Sequence, residues 1–66
     1  MKIWAIFFSP ADYPHHYVAR LMVEGSFRSE VYVRNTLEEI RAALPPGLSR
    51  MNRRLSDPHT ILEYWT

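Results

Sequence analysis

Lys2-Ile3-Trp4-Ala5-Ile6-Phe7-Phe8 is the stretch that decides the fold. Alternate residues of a strand face opposite sides. Here both sides are apolar: Ile3, Ala5 and Phe7 on one, Trp4, Ile6 and Phe8 on the other. A strand with that pattern is buried on both faces and belongs in the middle of a sheet. Everything that follows in the chain has to supply its neighbours and its cover.

Residues 9–16 carry Pro10, Asp12 and Pro14 and read as a loop, because proline cannot donate to a ladder. Residues 17–24 predict a second strand, with Tyr17, Ala19, Leu21 and Val23 on one face and Val18, Arg20, Met22 and Glu24 on the other. Gly25-Ser26 marks a turn. Residues 29–34 predict a third strand, Val31 and Val33 inward and Glu30, Tyr32 and Arg34 outward. Thr36-Leu37-Glu38-Glu39 has the spacing of a capping box, with its acids at the positive end of the helix dipole. Leu37, Ile40 and Leu44 recur at helical spacing, and Pro45-Pro46-Gly47 stops the helix, so it covers about 36–44. Residues 48–58 read as a polar, basic connection. Residues 59–65 predict the last strand, Leu62 and Tyr64 on one face and Ile61, Glu63 and Trp65 on the other.

The expected fold is a single small α+β domain over residues 1–66, in the order β-β-β-α-β. Its sheet is four-stranded and mixed but mostly antiparallel, in spatial order 4-1-2-3. The last strand runs parallel to the first after a right-handed crossover, and the helix packs on one face. One short helix covers one face only. The other face would show Val18, Arg20, Met22, Glu24, Tyr32, Arg34, Ile61, Glu63 and Trp65 with one apolar set from the first strand, which is too apolar for open water.

Size and composition narrow the options. A chain of 66 residues buries only about 60% of its unfolded surface, so its stability is thin. It has no cysteine, which excludes disulfide staples and thiolate zinc sites. Packed aromatics or a second copy of the chain must stabilise it. Eight basic and seven acidic residues leave a formal charge of +1, which exerts no strong pull on nucleic acid or membranes. The longest apolar run, Ile3 to Phe8, has six residues. That is short of the roughly 18 to 20 that span a bilayer and of the roughly 7 to 15 of a signal peptide. A cytoplasmic protein without a membrane partner is expected.

Catalytic and metal-binding patterns are sparse. His15, His16 and His59 with Asp12 and Asp57 are the one metal-type set. Adjacent histidines in an extended stretch point to opposite sides, and both aspartates are good turn formers, so neither a metal nor a cofactor is expected. Gly25 and Gly47 are isolated and build no phosphate loop, the serines fall in turns and loops, and Glu38-Glu39 is explained by the cap. Enzymatic activity is not expected.

Two binding readings remain. Tyrosine, tryptophan, arginine and methionine are enriched at protein interfaces. The outward set Trp4, Arg20, Met22, Tyr32, Arg34 and Trp65 combines all four types, and predicts a protein-binding surface whose first partner is a second copy, through the uncovered sheet face or an edge strand. The alternative is nucleic-acid binding. Arg50, Arg53 and Arg54 would contact phosphates, since no acid lies between residues 41 and 54, and sheet aromatics would stack bases.

Asp12-Tyr13-Pro14, Tyr17-Val18-Ala19-Arg20, Leu37-Glu38-Glu39 with Arg41, Pro46-Gly47-Leu48 with Arg50, and Asp57-Pro58 before Ile61-Leu62-Glu63-Tyr64-Trp65 occur in that order over most of the chain. The combination resembles a group of very short bacterial and phage-associated proteins with no established activity. The resemblance implies a cytoplasmic, phage- or prophage-encoded accessory protein and carries over no catalytic residue.

Overall fold

The computed structural model describes residues 2–66. Strand β1 (Lys2–Phe8) leads through the proline loop to β2 (Tyr17–Val23), and a tight hairpin leads to β3 (Ser26–Arg34). Helix α1 (Leu37–Ala43) then carries the chain to β4 (Arg50–Asn52) and β5 (Ile61–Trp65). All four strand pairings are antiparallel, and the five strands lie in the order β3-β2-β1-β5-β4. β1 sits in the middle, as its two apolar faces require: Ala5 and Ile6 have no exposure, and Trp4 has 7%.

The α+β class and the single helix agree with the sequence reading, but three expectations are corrected. The first is strand number. Residues 50–52, read as part of a connection, form an edge strand on β5, with Arg50 opposite Trp65, Met51 opposite Tyr64 and Asn52 opposite Glu63. Reciprocal backbone bonds between Ser49 and Thr66 extend the ladder at 2.9 and 3.1 Å. The second is strand direction. The extra strand adds one reversal of the chain, so the last strand meets β1 antiparallel, not parallel, and the sheet is not mixed. The third is the hairpin turn. Glu24 (φ 53°) and Gly25 (φ 80°) both have positive φ and join Val23 to its partner Ser26. That is the two-residue turn whose twist matches antiparallel strands, and it makes Ser26 the first residue of β3.

The helix forms where its cap is. The Thr36 hydroxyl accepts from the Glu39 N–H at 3.1 Å, and Leu44 closes the other end by donating to the Arg41 carbonyl at 3.3 Å. Ile40, fully buried, enters a core of Trp4, Ile6, Ala19 and Leu21. Thr36→Ala is expected to lower stability by about 1 kcal/mol, read as a shift in urea midpoint at constant slope.

The faces of β3 and β5 also differ from expectation. Tyr32 and Trp65 pack against the core on the helix side. Tyr32 pairs with the small Ala19, which leaves room for its ring to stack on Trp4 with centroids 5.3 Å apart at 21°. Val31 and Val33, paired with Arg20 and Val18, therefore lie on the far face. On β5, Glu63 lies on the helix side of the sheet, where Arg41 reaches it from α1, and Tyr64, paired with Ala5, lies on the far face. Leu62 is the extra residue at the step from Ile6–Glu63 to Phe7–Ile61 pairing, and this bulge lets it too reach the core.

Candidate binding face

The sheet face away from the helix is built from Ile3, Ala5 and Phe7 of β1, Val18, Arg20 and Met22 of β2, Phe27, Val31 and Val33 of β3, Met51 of β4 and Tyr64 of β5. Its centre is closed: Ala5 and Val18 have no exposure. Its margins are open. Phe27, 54% exposed, meets Phe7 with the rings tilted at 53° and centroids 6.2 Å apart, and Met51 is 51% exposed.

Two loops reach over this face. The 9–16 loop is closed by the Ser9 N–H donating to the His16 carbonyl at 2.8 Å, and its Asp12 forms an ion pair with Arg20. The 53–60 loop is tied down by Asp57, whose carboxylate accepts from the Arg54 N–H and from the Tyr64 hydroxyl, both at 2.8 Å. Between the second loop and the sheet lies an open cleft of about 260 Å³ lined by Ile3, Met22, Met51, Asn52, Arg54, Asp57 and Tyr64. Leu55, beside Arg54 in that loop, is 98% exposed.

Electrostatics make the Asp57–Tyr64 contact a latch. The backbone N–H of Arg54, then the Tyr64 hydroxyl, hold the Asp57 carboxyl below its ordinary range. Burial, then the Asp57 hydrogen bond, push the Tyr64 phenol above its own. Near neutral pH the pair is a carboxylate and a phenol, displaced in opposite directions from values suited to proton transfer.

The sequence-predicted protein-binding residues do not share one surface. Arg20 and Met22 lie on the open face. Trp4, Tyr32 and Trp65 lie on the helix side, Trp4 inside the core. Arg34 is on that side too, its guanidinium 5.8 Å from the Tyr32 ring centroid. The predicted arginine set is largely engaged within the fold. Arg50 donates to Glu63 at 3.1 Å and to Asn52 at 2.8 Å. Arg53 donates to the Arg54 and Asp57 carbonyls at 3.1 and 3.0 Å. Arg54 lines the cleft. Among the described residues, His15, His16 and His59 included, no three histidine, aspartate or glutamate side chains gather as a metal site would require. None of the helices among those residues is long and apolar enough to cross a membrane.

Sequence reasoning missed Met51, Asn52, Asp57 and Tyr64 as cleft residues, because they come together only once β4 pairs with β5. The one available signal was the Ile3-Ala5-Phe7 alternation, which marks a second apolar face without saying what borders it. No family model matches the chain, and no curated protein or solved structure is detectably similar to it.

Proposed function

We propose that this chain is a small non-enzymatic protein-binding module, of the accessory kind that the bacterial and phage-associated resemblance implies, and that it docks its partner on the open sheet face. The observation that carries this reading is the make-up of that face. Ile3, Met22 and Met51 line the cleft together with Asn52, Arg54 and Asp57, and the Arg20–Asp12 ion pair lies elsewhere on the same face. An apolar centre with a polar rim is the anatomy of a protein interface, and methionines let such a surface adapt to its occupant. The loops that reach over the face obstruct flat sheet-on-sheet packing, which needs two bare faces about 10 Å apart. An inserted apolar side chain on a partner segment suits the cleft better. Nucleic acid is the less favoured occupant, because Arg50 and Arg53 are already committed to internal acceptors.

The test is selection of a peptide library on immobilised protein, with Met22→Lys as counter-selection. Wild type is expected to enrich peptides bearing a large apolar residue, and Met22→Lys, still folded by circular dichroism, to lose them. Equal enrichment on both proteins would remove the cleft from consideration. Tight oligonucleotide binding that collapses with added salt would favour the phosphate reading instead.

A further inference from the structure

β3 ends the sheet on one side, with β2 as its single neighbour. A nine-residue edge strand presents an unpaired row of backbone donors and acceptors, which is a template for another strand. The residues along it say which strand fits. Glu30-Val31-Tyr32-Val33-Arg34 is symmetrical in chemistry about Tyr32: a valine on either side, then an acid at one end and a base at the other. Laid antiparallel on a second copy of itself, it sets Tyr32 against Tyr32. Val31 then opposes Val33 on the open face, and Glu30 opposes Arg34 on the helix face. A two-fold axis makes each unlike contact twice.

We propose that two copies of this chain associate through their β3 edges in that register, forming one continuous ten-stranded sheet. Glu30 and Arg34 are exposed. The Glu30 side chain makes no hydrogen bond or ion pair among the described residues, and the Arg34 side chain donates only to the adjacent Val33 carbonyl. Opposite charges across a strand pair attract and like charges repel. Centring the pairing on Val31 would oppose Arg28 to Arg34, and centring it on Glu30 would oppose that acid to its own copy. Centring it on Ser29 would match Arg28 with Glu30. That register, however, would centre the whole contact on the stretch where β3 takes four steps from Val31 to Phe27 while β2 takes two from Arg20 to Met22, whereas the Tyr32-centred register takes only Glu30 from it. From Val31 to Arg34 the pairing with β2 is regular. The two-fold axis stands perpendicular to the sheet, so both open faces, each with its cleft, lie on the same side of the dimer. The edge and the open face are different surfaces, and this inference stands or falls without the proposal for the cleft.

The test is the mass in solution of the full chain across a concentration series, by sedimentation, for wild type and four variants checked for folding by circular dichroism. Wild type is expected to reach twice the 7.8 kDa chain mass. Glu30→Arg and Arg34→Glu should each weaken the dimer by roughly tenfold or more, because each reversal creates two like-charge pairs. Combining both reversals should restore it, and Arg28→Glu should leave it unchanged. A wild-type monomer at every concentration overturns the proposal. So does a dimer indifferent to both single reversals, a double variant that is not restored, or loss of the dimer in Arg28→Glu.

Discussion

In a urea titration at pH 7, Glu63→Gln is expected to lose about 2–3 kcal/mol of stability, a large part of the roughly 3–10 kcal/mol that a domain of this size holds. The side chain is 2% exposed on the helix side of β5. It accepts from Arg41 Nε at 2.9 Å and Nη2 at 2.6 Å, from Arg50 Nε at 3.1 Å and from the Trp65 indole at 2.6 Å. One carboxylate thus ties α1 and β4 to the strand between β1 and β4. Burial pushes its pKa up, but the bonds from Arg41, Trp65 and Arg50, with the charge of Arg41, outweigh burial and hold it at about 2. The Arg41 guanidinium is raised in turn, chiefly by its hydrogen bond to Glu63. The sign of the pH effect follows. A carboxyl with a folded pKa below its unfolded value of 4.5 stabilises fully above that value, and loses its contribution as pH falls toward 2. Wild-type stability should therefore fall steeply across that interval. Glu63→Gln should show a shallower fall, with a remainder from Asp57, whose pKa is also lowered. An unchanged slope in the variant would show that Glu63 does not carry the acid sensitivity.

Trp4→Ala is expected to cost about 3–5 kcal/mol and to leave the far-UV spectrum of a largely unfolded chain at 25 °C. Trp4 is opposed by Leu21 on one side and Trp65 on the other, and its ring stacks on Tyr32. Removing it empties the centre of a core whose other buried members are Ile6, Ala19, Leu21 and Ile40. Phe27→Ala provides the contrast. It deletes a comparable ring, but one that is 54% exposed on the open face, and should cost less than about 1 kcal/mol. Similar urea midpoints for the two variants would contradict the division into a helix-side core and an open binding face.

Much of this architecture was legible because a few local signals were unambiguous. β1 declares its central place through two apolar faces. The helix declares its limits through Thr36, Glu39 and Pro45. β4 was not legible. Arg50-Met51-Asn52 has no apolar alternation, and as an edge strand it needs none, so only its ladder with β5 reveals it. Missing it also reversed the expected direction of β5. Hydropathy misassigned two faces for related reasons. Ranking Val31 and Val33 above Tyr32 ignores that a ring can lie over Ala19 against Trp4. Ranking Glu63 as outward ignores Arg41 and Arg50, which reach it from an element distant in sequence and from the unforeseen strand. Of the cleft, Met22 and the Ile3 face could be read directly. Met51, Asn52, Asp57 and Tyr64 could not, because their assembly depends on β4.

The placement of β5 has a kinetic consequence. Trp4 opposes Trp65, so the central strand gains its second neighbour only when nearly the whole chain has closed on itself. Such closure carries its entropic cost before any contact offsets it, and α1, with seven residues, is too short to persist as an isolated helix meanwhile. The β1-β2-β3 meander is the part whose strands are close neighbours in sequence. Until β5 arrives, that meander holds one edge of its most apolar strand open to solvent, where another unfinished chain could pair with it. Folding therefore belongs to the slower range set by non-local strand pairing, and crowding among incomplete chains, more than any weakness of the finished sheet, is where this molecule is most exposed to misassembly.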